Sequence, residues 1–196
     1  MQKKSHHVSR LRSALSAISD LSEEAWIALE PNWEYKELKR GDYLHKVGEP
    51  ATQIAFVLEG ALREYFLTYE GQEFNKAFVF SDEFSGSLLD LISEDVSTAS
   101  VQAIKPCKLM VTQYQSMTDL YDQFECLQRM GRVIIEGLFI KKARREYEFL
   151  TMDAPSRYQL LVKQNPRFVK ELPKYHLASY LGITPEGLSR IRANLK

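Results

Sequence analysis

Cysteine is scarce in this 196-residue chain: Cys107 and Cys126 are the two present, nineteen positions apart. They form no Cys-x-x-Cys pair, so neither a zinc knuckle nor a disulfide framework is indicated, and two reduced thiols are expected. Long apolar runs are also missing; none approaches the ~20 residues that a membrane helix needs. The N-terminal segment Met1-Gln-Lys-Lys-Ser-His-His7 lacks the apolar core of a signal peptide, which leads us to expect a soluble cytoplasmic protein with no membrane partner. Histidine is limited to His6, His7, His45 and His176. A barrel metalloenzyme of the cupin type needs two or three clustered histidines with a carboxylate, and only His45 falls in the strand-like region. His45 itself reads as a solvated turn residue, so haem is not expected. No Ser-His-Asp set or phosphate loop occurs. We therefore expect no enzyme activity, no metal and no cofactor.

Net charge is absent too, since 26 Lys and Arg balance 26 Asp and Glu. The charge is uneven, however. From Asp153 onward eight basic residues stand against three acidic ones, so that segment is net +5 and residues 1–152 are net −5. Such asymmetry suits a C-terminal module for nucleic acid attached to an N-terminal module with a different task.

What is present follows a clear order. Leu11, Leu15 and Ile18 share a helical face, and Ser22 before two glutamates reads as an N-cap for a second short helix ended by Pro31. From Trp33 to about Thr112, short apolar segments alternate with glycine turns at roughly 10-residue spacing, the pattern of an antiparallel barrel or jelly roll. In Glu73–Phe80, alternation places Phe74, Lys76, Phe78 and Phe80 on one side. Val96–Ile104 and Cys107–Thr112 read as two more strands. Before them, after Glu73–Phe80, Phe84-Ser-Gly-Ser-Leu-Leu-Asp-Leu-Ile92 has helical spacing, and its start could aim free N–H groups at an anion.

No proline occurs from Ser116 to about Leu150. There Leu120, Phe124, Leu127, Gly131, Ile134 and Leu138 step by four and three, a coiled-coil seam that predicts one long dimer helix, with Met130, Val133, Gly137 and Ile140 widening the stripe. Asp153-Ala-Pro-Ser156 reads as a hinge, a helix follows over Ser156–Gln164, and residues 165–173 read as extended. Finally, Lys174–Leu195 reads as two short helices. Leu177, Leu181, Ile183, Leu188 and Ile191 are its apolar positions, Gly182 ends the first helix, Thr184 caps the second, and Pro185 takes its first turn. Glu186, Ser189 and Arg190 lie one turn apart on a face that the apolar residues do not use.

This order, with Ile54-Ala-Phe-Val-Leu-Glu-Gly60 and Leu181-Gly-Ile-Thr-Pro-Glu-Gly-Leu-Ser-Arg190, resembles the CRP/FNR family of bacterial transcription regulators. The resemblance covers roughly residues 20–196. It implies an α+β chain: an N-terminal double-stranded β-helix (jelly-roll) effector domain over residues 1–115, a dimerisation helix and hinge over 116–152, and a winged-helix-like helix-turn-helix domain over 153–196. Thr184, Glu186, Ser189, Arg190 and Arg192 would face DNA, with TTGA-type palindromic half-sites. A homodimer through residues 120–145 and RNA polymerase are the implied partners. Gly187 departs from the threonine common in the family, and with Lys196 so close behind, the wing is expected to be short or missing.

The effector site carries over incompletely. Cyclic-AMP receptors read Gly-Glu-Leu at the barrel insertion and later Arg-Ser or Arg-Thr, binding ribose through the glutamate and the cyclic phosphate through the arginine. Here those positions are Gly86-Ser87-Leu88 and Ser97-Thr98, and both charged ligands are gone. Phe84, Gly86, Ser87, Leu88, Ser97 and Thr98 remain as pocket candidates for an unknown small molecule other than cyclic AMP. The N-terminal cysteines of iron–sulfur oxygen sensors are also absent. The other reading is a small-molecule sensor acting through protein partners, with a vestigial DNA-binding module.

Overall fold

Glycine-punctuated strands and proline-marked helix starts set the element boundaries of the chain. The computed structural model describes residues 2–93 and 95–195, with side chains from Ser5 onward. Two helices lead, α1 (Gln2–Ser16) and α2 (Glu23–Leu29). The strands are β1 (Glu34–Leu38), β2 (Tyr43–His45), β3 (Gln53–Glu59), β4 (Ala61–Leu67), β5 (Glu73–Phe80), β6 (Phe84–Ser85), β7 (Ala99–Ala103) and β8 (Cys107–Gln113), with α3 (Leu88–Ser93) inserted before β7. Then come α4 (Tyr114–Thr118), α5 (Glu125–Thr151), α6 (Ala154–Gln164), α7 (Pro166–Glu171), α8 (Lys174–Leu181) and α9 (Pro185–Asn194).

The strands make two four-stranded antiparallel sheets, β1-β8-β3-β6 and β2-β7-β4-β5, facing one another. Their inner faces bury Leu38, Val57, Leu62, Val101 and Leu109. The β3–β4 link needs Gly60: its φ is +103°, and a Cβ there would lie 2.3 Å from the Pro106 carbonyl oxygen. On the outer face of the first sheet, Phe56, Leu58 and Met110 pack against Leu11, Leu15, Trp26, Leu29, Leu127 and Met130 of α1, α2 and α5. The expected Ser22 cap is present, its hydroxyl accepting from Ala25 N.

The outer face of the second sheet has a different fate. A bulge between Glu64 and Tyr65 lets Ala77 pair with Glu64 while Asn75 pairs with Tyr65, which leaves Lys76 as the extra residue. Strict alternation across Glu73–Phe80 is therefore lost. Phe78, Phe80 and Asn75 point outward, and Phe74 falls on the other side. Phe78 and Phe80 enter one buried cluster with Tyr158, Leu161, Phe168, Leu177, Leu181 and Leu188 of the C-terminal helices. Phe78 meets Phe168 edge-on, with ring centroids 5.3 Å apart. Polar contacts pin the same junction. Ser179 Oγ accepts from Asn75 N at 2.9 Å and donates to Glu73 O at 3.0 Å. Asn75 Nδ2 donates to His176 O at 3.1 Å and lies 3.2 Å from His176 Nδ1.

Three expectations are corrected. The helix predicted from Ser116 without a break is two helices, because residues 119–124 form turns between α4 and α5. Leu120 and Phe124 thus precede the long helix. The extended piece predicted at 165–173 is largely α7, started by Pro166. The strand predicted over Val96–Ile104 is confined to Ala99–Ala103, with an isolated bridge from Val96 to Pro50.

His176, only 5% exposed, links the barrel to the C-terminal helices. Burial, aided by the Arg63 charge, pushes its pKa down to about 4, below the usual 6.5. The unfolded chain then binds the extra proton first as pH falls. The His176 contribution to stability is expected to be constant above pH ~6.5 and to be lost between ~6.5 and ~4, and His176→Gln is expected to make the decline over that range shallower. Urea unfolding at stepped pH checks this; an unchanged slope in the variant would contradict it.

Candidate functional site

Two regions gather the chemistry, the mouth of the barrel and the exposed side of α9. In the barrel, cross-strand pairing sets His45, Val101, Glu64 and Ala77 side by side on the inner face. His45 is not the solvated turn residue that the sequence suggested. It is 6% exposed on β2, and neither ring nitrogen has a hydrogen-bond partner. Burial lowers its pKa against the pull of Glu64 and Asp90, so the imidazole stays neutral. Lys76, the bulged residue, turns inward to form an ion pair with Glu64. Each charge therefore has its counter-charge in a poorly solvated place.

A cavity of about 420 Å³ opens between this mouth and α5. Of the candidate residues, Phe84, Gly86 and Leu88 line it, whereas Ser87, Ser97 and Thr98 do not. Those three surround Asp90, a residue 1% exposed that the sequence reading did not single out. Ser97 Oγ donates to Asp90 Oδ2 at 2.6 Å, and Thr98 donates to Oδ1 from its backbone N at 3.3 Å and from Oγ1 at 3.2 Å. Ser87 is near enough to favour the carboxylate although its hydroxyl makes no well-aligned hydrogen bond. Burial alone would raise the Asp90 pKa, but these donors together outweigh it and hold the carboxyl below the usual range. The anion at this point of the barrel is thus the chain's own. The signal in the sequence was an acid inside the apolar run Leu88-Leu-Asp-Leu-Ile92.

At the other end of the molecule, the expected turn chemistry is present. Gly182 takes the left-handed conformation (φ +68°), and a Cβ there would meet the Phe149 ring at 2.9 Å. Thr184 Oγ1 accepts from Gly187 N at 3.1 Å, so its hydroxyl is engaged in capping α9. Two arginines close the end of α8. Arg145 donates to Tyr180 O at 2.7 Å and Arg157 to Leu181 O at 3.0 Å, both guanidiniums stacking on Phe149 with centroid distances of 4.6 Å. Neither arginine was singled out from the sequence, because both partners are backbone carbonyls far away in the chain. On α9, Leu188 is buried while Glu186, Ser189 and Arg190 are exposed together and Arg192 is half-buried. Ser189 Oγ donates to Pro185 O at 3.0 Å. Among the described residues no ion pair engages Glu186 or Arg190.

No group of three or more potential metal ligands occurs among the described residues, and no helix there is long and apolar enough to cross a membrane.

Removing the Asp90 carboxylate leaves the Ser97 and Thr98 donors without their buried acceptor. Asp90→Ala is expected to destabilise the fold by ~1–3 kcal/mol at pH 7. Because the folded-state pKa is depressed, the wild-type advantage is present above the ordinary carboxylate range and is lost as pH falls through the folded value. Denaturant midpoints at pH 7 and pH 3 check both statements; an equal midpoint at pH 7 would refute them.

Comparison with known proteins agrees with this architecture. The cyclic nucleotide-binding domain family matches residues 35–124. The transcriptional activator protein Anr of Pseudomonas aeruginosa is 23% identical over 167 residues, spanning 80% of this chain and 68% of Anr. FixK2 from Bradyrhizobium japonicum superposes with a TM-score of 0.69 at 19% identity, covering 83% of this chain and 84% of FixK2. A regulator of the CRP/FNR family from Eubacterium rectale also gives 0.69, at 16% identity over 88% of this chain and 82% of its own. The chain thus carries a cyclic nucleotide-binding domain at residues 35–124, is similar in sequence to Anr, and shares the fold of FixK2 and of the Eubacterium rectale regulator.

Proposed function

We propose that the protein is a dimeric, sequence-specific DNA-binding regulator in which α8, the turn and α9 form a helix-turn-helix and α9 enters the major groove. The observation that carries this is the free outer side of α9. Glu186, Ser189 and Arg190 are exposed on one face, while Leu188 and the Thr184 cap hold the helix rigidly from the other. Arginine pairs bidentately with guanine O6 and N7, and glutamate accepts from cytosine N4, each worth ~1–3 kcal/mol of discrimination. This suits half-sites of the TTGA type. Arg192 and the net +5 of residues 153–196 supply phosphate attraction.

The dimer reading rests on α5. Leu127, Met130 and Gly131 pack inward, but beyond them Phe139 is 70% and Leu150 79% exposed, with Ile135, Ile140 and Tyr147 also open. An apolar face of this length suits a second copy of the helix. The pairing surface would be that outward side rather than the Leu127–Ile134 seam, which packs on the barrel. Two α9 helices would then have to meet half-sites about one turn of DNA apart, ~34 Å. With Asp90 on the remaining donors and both charged nucleotide ligands replaced, cyclic AMP is not the effector of this reading. RNA polymerase is its downstream partner.

A gel shift on palindromic TTGA-type DNA tests this. Wild type is expected to bind as a dimer with strong salt dependence, and Arg190→Ala to lose about tenfold or more on that sequence. Equal binding of both proteins would overturn the base-reading role, and calorimetric binding of cyclic AMP at micromolar affinity would overturn the reading of the barrel.

A further inference from the structure

The outer face of the second sheet carries a polar cleft where it meets the start of α8. Arg63 of β4 lies there, 6% exposed and paired across the sheet with Gln102 of β7. Its Nε and Nη2 donate to Gln102 Oε1 at 2.9 and 2.7 Å. Its Nη1 donates to Glu73 Oε2 at 2.6 Å and to Asn75 Oδ1 at 3.4 Å. Gln102 Nε2 donates in turn to Gly41 O at 3.0 Å. One network thus runs from the turn between β1 and β2, through Arg63 and Asn75, to His176. Beside it opens a cleft of about 210 Å³, lined by Arg40, Arg63, Glu73, Gln102, Tyr175 and His176 among others. It shares no lining residue with the cavity beside α5.

Donors outnumber acceptors around this cleft. Asn75 uses Oδ1 on Arg63, so the atom 3.2 Å from His176 Nδ1 is the amide nitrogen. Nδ1 therefore accepts, and the neutral ring carries its proton on Nε2. Nε2 has no partner among the described residues, yet unlike both nitrogens of the sealed His45 it keeps contact with solvent. His176 is otherwise buried, and the cleft is the opening that it lines. No side chain caps α8, and the N–H groups of Lys174, Tyr175 and His176 have no acceptor among the described residues. Arg40 is exposed and makes no ion pair among them. Glu73 cancels the charge of Arg63 through Oε2, which leaves Arg40 and the helix terminus as the uncompensated positive groups. We infer that this cleft binds a phosphate group, free or as a small phosphomonoester, held by Arg40, the His176 Nε2–H and the α8 amides, with its P–OH donating to Glu73 Oε1. Sulfate near neutral pH has no proton to donate, and neither has a DNA phosphodiester, so Glu73 selects against both. The volume lies below the ~300–1,000 Å³ of ordinary ligand pockets, which limits the organic remainder to a few atoms. A bound phosphate bridges the β1–β2 turn and α8, so it stabilises the docking of the C-terminal helices on the barrel. The binding goes beyond the regulator reading and does not depend on it.

The test is calorimetry on the full chain without DNA, titrating inorganic phosphate, glycerol 3-phosphate and sulfate near neutral pH at constant ionic strength. At least one of the two phosphates is expected to bind saturably, and sulfate about tenfold more weakly or not at all. Tighter binding of inorganic phosphate assigns the free ion, and tighter binding of glycerol 3-phosphate assigns an ester; either supports the inference. Arg40→Gln is expected to weaken phosphate about tenfold. Lys39→Gln, which removes an exposed charge outside the cleft, is expected to leave it unchanged. Glu73→Gln is expected to erase the discrimination against sulfate, with circular dichroism confirming the fold of each variant. Absence of saturable binding by both phosphates, sulfate binding as tight as phosphate, or equal losses in Arg40→Gln and Lys39→Gln overturns the inference. Because no DNA is present, that failure leaves the DNA reading intact, and a failed gel shift leaves phosphate binding intact.

Discussion

The burial of Phe78 and Phe80 against the C-terminal helices is the contact on which the arrangement of this protein depends. A β-sheet with one face on the barrel core ordinarily presents its other face to water. Here Ala61, Phe78 and Phe80 on the outer face of β4 and β5 become one wall of a second core, completed by Tyr158, Leu161, Phe168, Leu177, Leu181 and Leu188. The C-terminal helices are short, six to eleven residues each, and helices of that length draw their stability from packing rather than propensity. Without the two phenylalanines, α8 would lose most of the surface that it leans on. Asn75, Ser179 and His176 then fix the register of α8 on β5 by saturating backbone groups that the packing has buried.

The long helix α5 connects everything else to that junction. Its first half belongs to the core formed by α1, α2 and the outer face of the first sheet, through Leu127 and Met130. Its second half reaches the end of α8, where Arg145 bonds the Tyr180 carbonyl and Phe149 lies under Gly182. Between the two lies the cavity. The bulged Lys76 sits near the centre of this arrangement, since its ion pair with Glu64 borders both the cavity and a neighbouring cleft shared by α5 and Tyr180.

Much of the fold was legible because it is local. Ser22, Gly182 and Thr184 signalled helix ends through short-range backbone chemistry, and each does what its residue type predicts. Glycine turns and apolar alternation announced the strands. The errors arose where distant contacts override local pattern. One bulge put Phe74 on the opposite side of β5 from Phe78 and Phe80, and nothing in Glu73–Phe80 marks it. The heptad steps through Leu127, Gly131 and Ile134 were real, but spacing alone does not say whether a seam packs on the barrel or on a second copy. His45 looked like a solvated turn residue because its burial comes from strands that lie far away in sequence. Of the candidate site, the exposed set on α9 was readable from its spacing. Asp90 was not, since its significance lies in the Ser97 and Thr98 donors that the fold gathers around it.

If the C-terminal helices and the barrel are one body, their backbone amides share one opening free energy. Native-state hydrogen exchange measures this residue by residue. The account predicts that the amides of Leu177, Ala178 and Leu181 in α8 exchange with the same opening free energy as those of Phe78 and Phe80 in β5, and that Phe80→Leu lowers both sets together. Exchange of the α8 amides through a separate, much lower-energy opening that Phe80→Leu leaves unchanged would contradict it.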